Sequence, residues 1–333
     1  MKAWKVESPA LIENSPLRIV DEIPTEPGEG EITLQVNYCG ICRTDLHIVE
    51  GDIESADYPV IPGHQIVGEV KKLGPGVTGI SEGEVRGAYW LHRACGECHY
   101  CRAGRENLCQ NSQFTGLDVP GGFAEEVVVD VDYTVPVSTE IELENTAPLL
   151  CAGIIGYRSL RLSDIRPGGQ LALFGFGSCA HIVMQVAHHW DCDVVVYTRS
   201  ESHQNMARNM GALWVGKPGE QAPMLCDSAI SFAPAGELVP MTLRAVRPGG
   251  TVALNAIAMT DIPQFSYQLL YGERTLRSVA NVTRRDAEEF FELVPEIPVQ
   301  TEVRTYAFEQ LEVALKDVKN SRVNGSAVLK VDA

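Results

Sequence analysis

Two hydrophobic spacings divide the chain. Over the first 150 residues apolar positions recur every second residue in short runs such as Glu31-Ile32-Thr33-Leu34-Gln35-Val36. Turn signals at Pro27-Gly28, Gly74-Pro75-Gly76 and Pro120-Gly121-Gly122 punctuate them. A period of two bounded by glycine and proline predicts a mostly antiparallel, barrel-like β domain. From about residue 151 the pattern changes. The apolar run Gln170-Leu171-Ala172-Leu173-Phe174 is followed by glycines, then by a stretch in which Ile182, Val183, Val186, Ala187 and Trp190 share one helical face. A strand at 193–197, a helix holding Met206 and Met210, and strands at 213–215, 227–232, 251–255 and 276–279 follow, with Pro248-Gly249-Gly250 read as a turn. Strands alternating with helices predict a doubly wound parallel sheet, so the fold class is α/β. After about residue 281 one more helix, 285–293, leads into a short β-like tail expected to rejoin the first domain.

Composition narrows the function classes. The chain has 333 residues, 45% hydrophobic and 21% charged, which fits a globular protein of two domains. Its net charge of −17 repels phosphate backbones and anionic lipid, so neither nucleic acid nor a membrane is an expected partner. Residues 167–190 carry no Asp, Glu, Lys or Arg, yet their glycines, glutamines and histidines suit a buried strand, turn and helix better than a lipid-facing span. The opening Met1-Lys2-Ala3-Trp4-Lys5-Val6-Glu7 lacks an apolar signal core, and a soluble cytoplasmic protein is expected. The ten cysteines are therefore tested first as metal ligands rather than disulfides, with Cys179, Cys192 and Cys226 read as small core residues.

Three motifs carry chemistry. Cys95-Gly96-Glu97-Cys98-His99-Tyr100-Cys101, seven residues and then Cys109 supply four thiolates able to close a tetrahedral structural zinc site, with no coordination position left open. Cys42, His64 and Cys151 offer the three ligands that a catalytic zinc with an open fourth position requires, although no two are close in sequence. Gly175-Phe176-Gly177-Ser178-Cys179-Ala180 lies between a predicted strand and a helix, where bare backbone and a helix N-terminus suit a pyrophosphate. About twenty residues further on, the end of the next strand reads Tyr197-Thr198-Arg199-Ser200, without the acidic residue that would bind an NAD ribose. Two hydroxyls and a guanidinium suit a 2′-phosphate, so NADP(H) is expected over NAD(H), with Arg199 as an ordinary solvated residue the alternative.

With these motifs assembled, the chain resembles the zinc-dependent medium-chain alcohol dehydrogenases over essentially its whole length, and its Thr198-Arg199-Ser200 pattern resembles their cinnamyl-alcohol-dehydrogenase-like branch. The segments Cys39-Gly40-Ile41-Cys42-Arg43-Thr44-Asp45-Leu46-His47, Gly63-His64-Gln65-Ile66-Val67-Gly68-Glu69-Val70, the four-cysteine lobe, Ala147-Pro148-Leu149-Leu150-Cys151-Ala152-Gly153 and the glycine turn stand in that family's order. The resemblance implies a Rossmann domain at 152–281 for the dinucleotide and a catalytic β domain formed by 1–151 and 282–333, with the active site in the cleft between them. It further implies that Cys42, His64 and Cys151 bind a catalytic zinc, that Cys39 does not, and that Asp45 orients the imidazole. By the same resemblance Thr44 passes the alcohol proton, His47 carries it to solvent through the cofactor ribose, and Arg43 contacts the pyrophosphate. Trp90 and Leu91 look like substrate-pocket lining, with ordinary core as the alternative.

Two positions depart from the family. Gln65 stands where it usually has Glu, a carboxylate near the metal that can assist ligand exchange; intact zinc binding with altered turnover is expected. Ser326 stands where many members place an Arg, so a pyrophosphate contact is lost or Arg322 replaces it. The reading is an alcohol dehydrogenase or aldehyde reductase transferring hydride between NADP(H) and a primary alcohol or aldehyde, with two zinc ions per chain, as a homodimer or homotetramer. Its rivals are an NAD(H)-dependent version and a non-catalytic, zinc-stapled nucleotide-binding protein.

Overall fold

The computed structural model describes residues 1–53, 56–297, 299–323 and 325–331; residues 54, 55, 298, 324, 332 and 333 of the range assigned above to the catalytic domain lie outside the described residues. The chain divides into two compact units, one of residues 1–151, 281–296 and 300–333, the other of residues 152–280 and 297–299.

The second unit is built on a six-stranded parallel sheet in the order Trp214–Gly216, Asp193–Tyr197, Gln170–Phe174, Cys226–Ser231, Val246–Leu254, Thr275–Ser278. In its own strand numbering that is 3-2-1-4-5-6, the Rossmann order. Strands buried on both faces read as unbroken apolar runs, and Val194, Val195 and Val196 are all buried. The stretch without charged residues resolves into the strand Gln170–Phe174, a glycine turn and the helix Ser178–His189, with Trp190 as its C-terminal cap. Among the described residues no helix is long and apolar enough to cross a membrane.

Two local readings are corrected. Pro248-Gly249-Gly250 does not precede a strand; it is a bulge inside Val246–Leu254, where the register jumps from Cys226↔Val246 to Ser228↔Thr251 and Gly249 takes φ +78°. A helix not foreseen, Ala152–Leu162, packs on Ser178–His189 through Gly156, where a Cβ would lie 2.6 Å from Val183 Cγ2.

The first unit is a seven-stranded sheet whose central strand Glu31–Ile41 pairs antiparallel with Gln65–Leu73, Glu126–Asp130 and Ser326–Lys330. Its core gathers Ile32, Leu34, Ile66, Phe123 and Leu329. The tail rejoins this sheet through Ser326–Lys330, but it is not only β: Leu311–Lys319 is a helix that buries Leu311, Ala314 and Leu315. That i, i+3, i+4 triple is too short to stand out as periodic in the sequence.

Candidate metal centre and nucleotide-binding turn

Cys42 ends the central strand and caps the helix Arg43–Glu50, so local chain geometry fixes its direction. Its backbone N–H donates to Asp45 Oδ2 at 2.8 Å, and Thr44 N–H donates to Cys42 Sγ at 3.3 Å. The other oxygen of Asp45 faces His64 Nδ1 at 2.9 Å, with both side chains buried. One carboxylate therefore caps a helix and aims an imidazole. His64 Nε2 lies 3.5 Å from Cys42 Sγ, and the donor atoms of Cys42, His64 and Cys151 all lie within 4.8 Å of one another. Gly63, at φ +102°, brings the chain in: a Cβ there would lie 2.8 Å from Phe123 Cδ1 and 3.0 Å from Cys39 Sγ.

Zinc bonds of about 2.3 Å to sulfur and 2.0–2.1 Å to nitrogen at a tetrahedral angle separate S from N by about 3.6 Å, and the 3.5 Å observed between Cys42 and His64 meets that spacing. Burial alone would pull the His64 pKa down, but Asp45 and the Cys42 thiol outweigh it and raise it to about 10. The Cys42 thiol is pushed well above the ordinary range, first by its hydrogen bond with Cys151 and then by burial. Both shifts favour the protonated forms of Cys42 and His64, so a cation that binds there must displace those protons.

The neighbouring residues divide. Trp90 is half-buried, edge-on to His64 with centroids 5.1 Å apart and stacked on Phe114; Leu91 is fully enclosed and belongs with the core, the second of its two readings. Thr44 is partly exposed beside Cys42. His47 Nδ1 pairs with Asp52 Oδ2 at 2.7 Å, a partner that no motif in the chain singled out. Arg43 is exposed and donates to the Lys319 carbonyl at 3.3 Å. Gln65 is buried, and among the described residues its Nε2 has no hydrogen-bond partner. Ser326 is buried within its strand, whereas the Arg322 side chain is 69% exposed, its contact with Asp317 a long 3.9 Å.

The four-cysteine lobe forms a second cluster. Its sulfurs stand 3.5 Å apart for Cys98–Cys101 and Cys95–Cys109 and 3.8 Å apart for Cys95–Cys101. A disulfide needs about 2 Å, while a tetrahedron of sulfurs about 2.3 Å from zinc has edges of about 3.8 Å. Backbone N–H groups of Cys98 and Asn111 donate to Cys95 and Cys109 sulfurs at 3.4 Å each. Donation from the Cys98 and Glu97 backbone, then from the Cys109 thiol, lowers the Cys95 pKa to about 6, while burial and then the hydrogen bond with Cys98 raise that of Cys101 to about 12. Glu106, between Cys101 and Cys109, accepts from Arg284 N–H at 2.7 Å and ties the lobe to the helix Arg284–Leu293.

In the second unit Gly175 takes φ +88° and donates its N–H to the Tyr197 carbonyl at 2.8 Å, setting the turn at the strand end. Gly177 is the N-cap of Ser178–His189, and a Cβ on it would meet nothing within 4 Å, so the turn has an open side above a helix N-terminus. Ala180 is fully buried, as a close strand–helix packing position requires. Cys179 is not a plain core residue: its thiol donates to the Ala152 carbonyl at 3.1 Å and lies 3.7 Å from Asn255 Nδ2, which also donates to Ser159 Oγ. At the next strand end Thr198 is buried, with its N–H on the Gly216 carbonyl and its carbonyl accepting from Gln204, so it presents less to a ligand than the sequence suggested. Arg199 and Ser200 are exposed, and Ser200 caps the helix Glu201–Asn209.

The chain is similar to known proteins. The family described as "Alcohol dehydrogenase GroES-like domain" matches residues 28–139, and "Zinc-binding dehydrogenase" matches residues 179–297. A probable alcohol dehydrogenase, AdhA, of Mycobacterium tuberculosis is 40% identical over 338 residues, covering 99% of this chain and 97% of the relative. An alcohol dehydrogenase of Geobacillus stearothermophilus is 30% identical, covering 95% of this chain and 97% of its own. Among solved structures, a cinnamyl alcohol dehydrogenase of Sorghum bicolor superposes with a TM-score of 0.89 at 25% identity, over 99% of this chain and 97% of that one. A Helicobacter pylori structure described as CAD complexed with NADP(H) shares the fold with a TM-score of 0.87 at 23% identity, over 99% of each chain.

Proposed function

The chain belongs to the zinc-dependent medium-chain alcohol dehydrogenase family, and from that premise we propose that it interconverts a primary alcohol and its aldehyde with NADP(H) as the hydride carrier. The observation that carries the proposal is the gathering of Cys42, His64 and Cys151 with Asp45 on the far nitrogen of the imidazole and Thr44 beside Cys42.

When bound, zinc would supply a Lewis acid for the substrate oxygen, and the dinucleotide would supply or accept the hydride. Cys42, His64 and Cys151 hold the metal. Asp45 keeps the proton on His64 Nδ1, which leaves the Nε2 lone pair free to ligate. Thr44 takes the alcohol proton at its hydroxyl, and His47, tied to Asp52, passes it on to solvent. Trp90 offers an aromatic wall against His64. Cys95, Cys98, Cys101 and Cys109 would hold a second, structural zinc, their sulfurs lying within 4.8 Å of one another.

Gly175, Gly177, Ser178, Cys179 and Ala180 form the turn that would cradle the pyrophosphate. Preference for NADP(H) is supported by Arg199 and Ser200, exposed at a strand end that carries no carboxylate. The proposal includes a cytoplasmic homodimer or homotetramer acting on a small alcohol or aldehyde. The test follows NADPH and NADH oxidation in parallel on zinc-replete protein with a panel of aliphatic and aromatic aldehydes. Faster turnover with NADPH supports the whole reading. Faster turnover with NADH keeps the enzyme and removes the cofactor preference; silence with both removes the activity.

A further inference from the structure

A crossover between parallel strands takes about a dozen residues or more and is usually filled by a helix. In the second unit the step from Trp214–Gly216 to Cys226–Ser231 has only residues 217–225, which hold turns and bends but no helix. That segment passes behind two strands, Asp193–Tyr197 and Gln170–Phe174, which stand between its ends in the sheet. The aromatic rings at the ends of those two strands are therefore covered by a short, irregular stretch of chain.

Between this segment and the helix Val239–Ala245 lies a cavity of about 490 Å³. Phe174 and Tyr197 form its floor, their rings stacked with centroids 4.3 Å apart and planes 13° apart, and Trp214 stands edge-on to Tyr197 at 5.0 Å. Met224 and Met241 border it half-buried, and Leu225 is 50% exposed. Rings and flexible thioethers suit a flat apolar guest, and the volume is that of a small-molecule site.

One charged group at this cavity is uncommitted. Glu220 folds back on its own turn: its carboxylate accepts from Lys217 N–H at 3.2 Å, and Oε2 would lie 2.6 Å from a Cβ on Gly216. The Tyr197 hydroxyl is held by the Ala222 backbone. Arg244 is exposed in the last turn of its helix, and among the described residues its guanidinium has neither an ion pair nor a hydrogen bond.

We propose that this cavity is a binding site for a small aryl carboxylate, its ring on Phe174 and Tyr197 between the two methionines and its carboxylate on Arg244. A planar guanidinium meets a carboxylate through two parallel N–H···O bonds, which an uncharged amide cannot match. The walls accept the ring of either compound, and Arg244 selects the acid. All of these residues belong to the second unit and none is a candidate metal ligand, so the site stands or falls apart from the metal centre.

The full-length protein, isotope-labelled at its methionine methyl groups, is titrated by NMR with phenylacetate and, separately, with phenylacetamide. Met224→Leu and Met241→Leu assign the two signals at the cavity among the seven methionines. The field of a bound ring should move both signals saturably, while that of Met184, fully buried in the helix Ser178–His189, stays in place. The acid should bind roughly 10-fold tighter than the amide, the worth of a hydrogen bond to a charged group, and Arg244→Gln should abolish that difference without weakening the amide. Met224 and Met241 signals that stay fixed up to the solubility limit of both compounds overturn the proposal, and binding elsewhere in the chain gives that same result. Equal affinity of the parent and Arg244→Gln for phenylacetate also overturns it, leaving Arg244 as a charge that complements a helix end.

Discussion

Asp45 offers the sharpest test of how the metal site is held. Its two oxygens accept from two different donors, Oδ2 from Cys42 N–H at 2.8 Å and Oδ1 from His64 Nδ1 at 2.9 Å, in a fully buried position. Asp45→Asn keeps the shape but leaves one acceptor, so its NH₂ must face one of the two former donors. If the amide keeps the Cys42 cap, its NH₂ faces His64 and stabilises the tautomer with the proton on Nε2. That removes the lone pair the metal needs. Undoing this on metal binding should weaken zinc affinity by roughly 10–100-fold, or about 1.4–2.7 kcal/mol. If the amide turns the other way, Cys42 N–H is orphaned and helix Arg43–Glu50 loses its cap, at a cost of about 1–2 kcal/mol in stability. The assay is zinc transfer to a chromogenic chelator, in which the zinc of the four-cysteine lobe serves as an internal reference, beside urea unfolding. One of the two release steps should accelerate and the other should not. An Asn variant that keeps its zinc within a factor of about two of the parent and unfolds at the parent's urea midpoint would refute the dual role.

Arg199→Ala should raise the KM for NADPH roughly 10–100-fold, the worth of a hydrogen bond to a charged group, and leave the KM for NADH nearly unchanged; parallel kinetics with both cofactors check it. Cys98→Ser should halve the zinc content and lower the thermal midpoint while low-temperature activity persists, because the lobe is a staple joined through Glu106 to the helix Arg284–Leu293. Metal analysis and calorimetry on the same sample read both effects. Gly156→Ala should destabilise by about 1–3 kcal/mol despite the better helix propensity of Ala. The new methyl would sit 2.6 Å from Val183 and 3.2 Å from Cys179, and the displaced helix Ser178–His189 should also weaken dinucleotide binding, seen by fluorescence titration.

The sequence carried much of this protein openly. Four cysteines within fifteen residues announce a metal lobe because a tetrahedral site needs donors at short loop spacing. Gly175 and Gly177 between an apolar run and an amphipathic one announce a phosphate turn, because Gly175 takes a positive φ that favours glycine and Gly177 leaves bare backbone at the helix N-terminus. Valine-rich runs separated by helical spacing announce the parallel sheet, since a strand covered on both faces has no polar side to alternate. Less was legible where the signal was short or shared. The helix Leu311–Lys319 hid behind a three-residue apolar pattern, and Pro248-Gly249-Gly250 looked like a turn because a bulge uses the same residues.

The tertiary structure alone decided the rest. Cys42, His64 and Cys151 lie far apart in sequence, and only strand pairing, with the short helix Ala147–Leu150 packed on the sheet, brings their donors within 4.8 Å. It alone gave His47 the partner Asp52, enclosed Leu91 while leaving Trp90 against His64, and sealed the Gln65 amide in without an acceptor. Local chemistry is written in neighbouring residues because backbone preference and ligand spacing act over a few bonds. A buried donor's partner, or its lack of one, depends on which distant strand lies alongside, and that is settled only when the whole sheet closes.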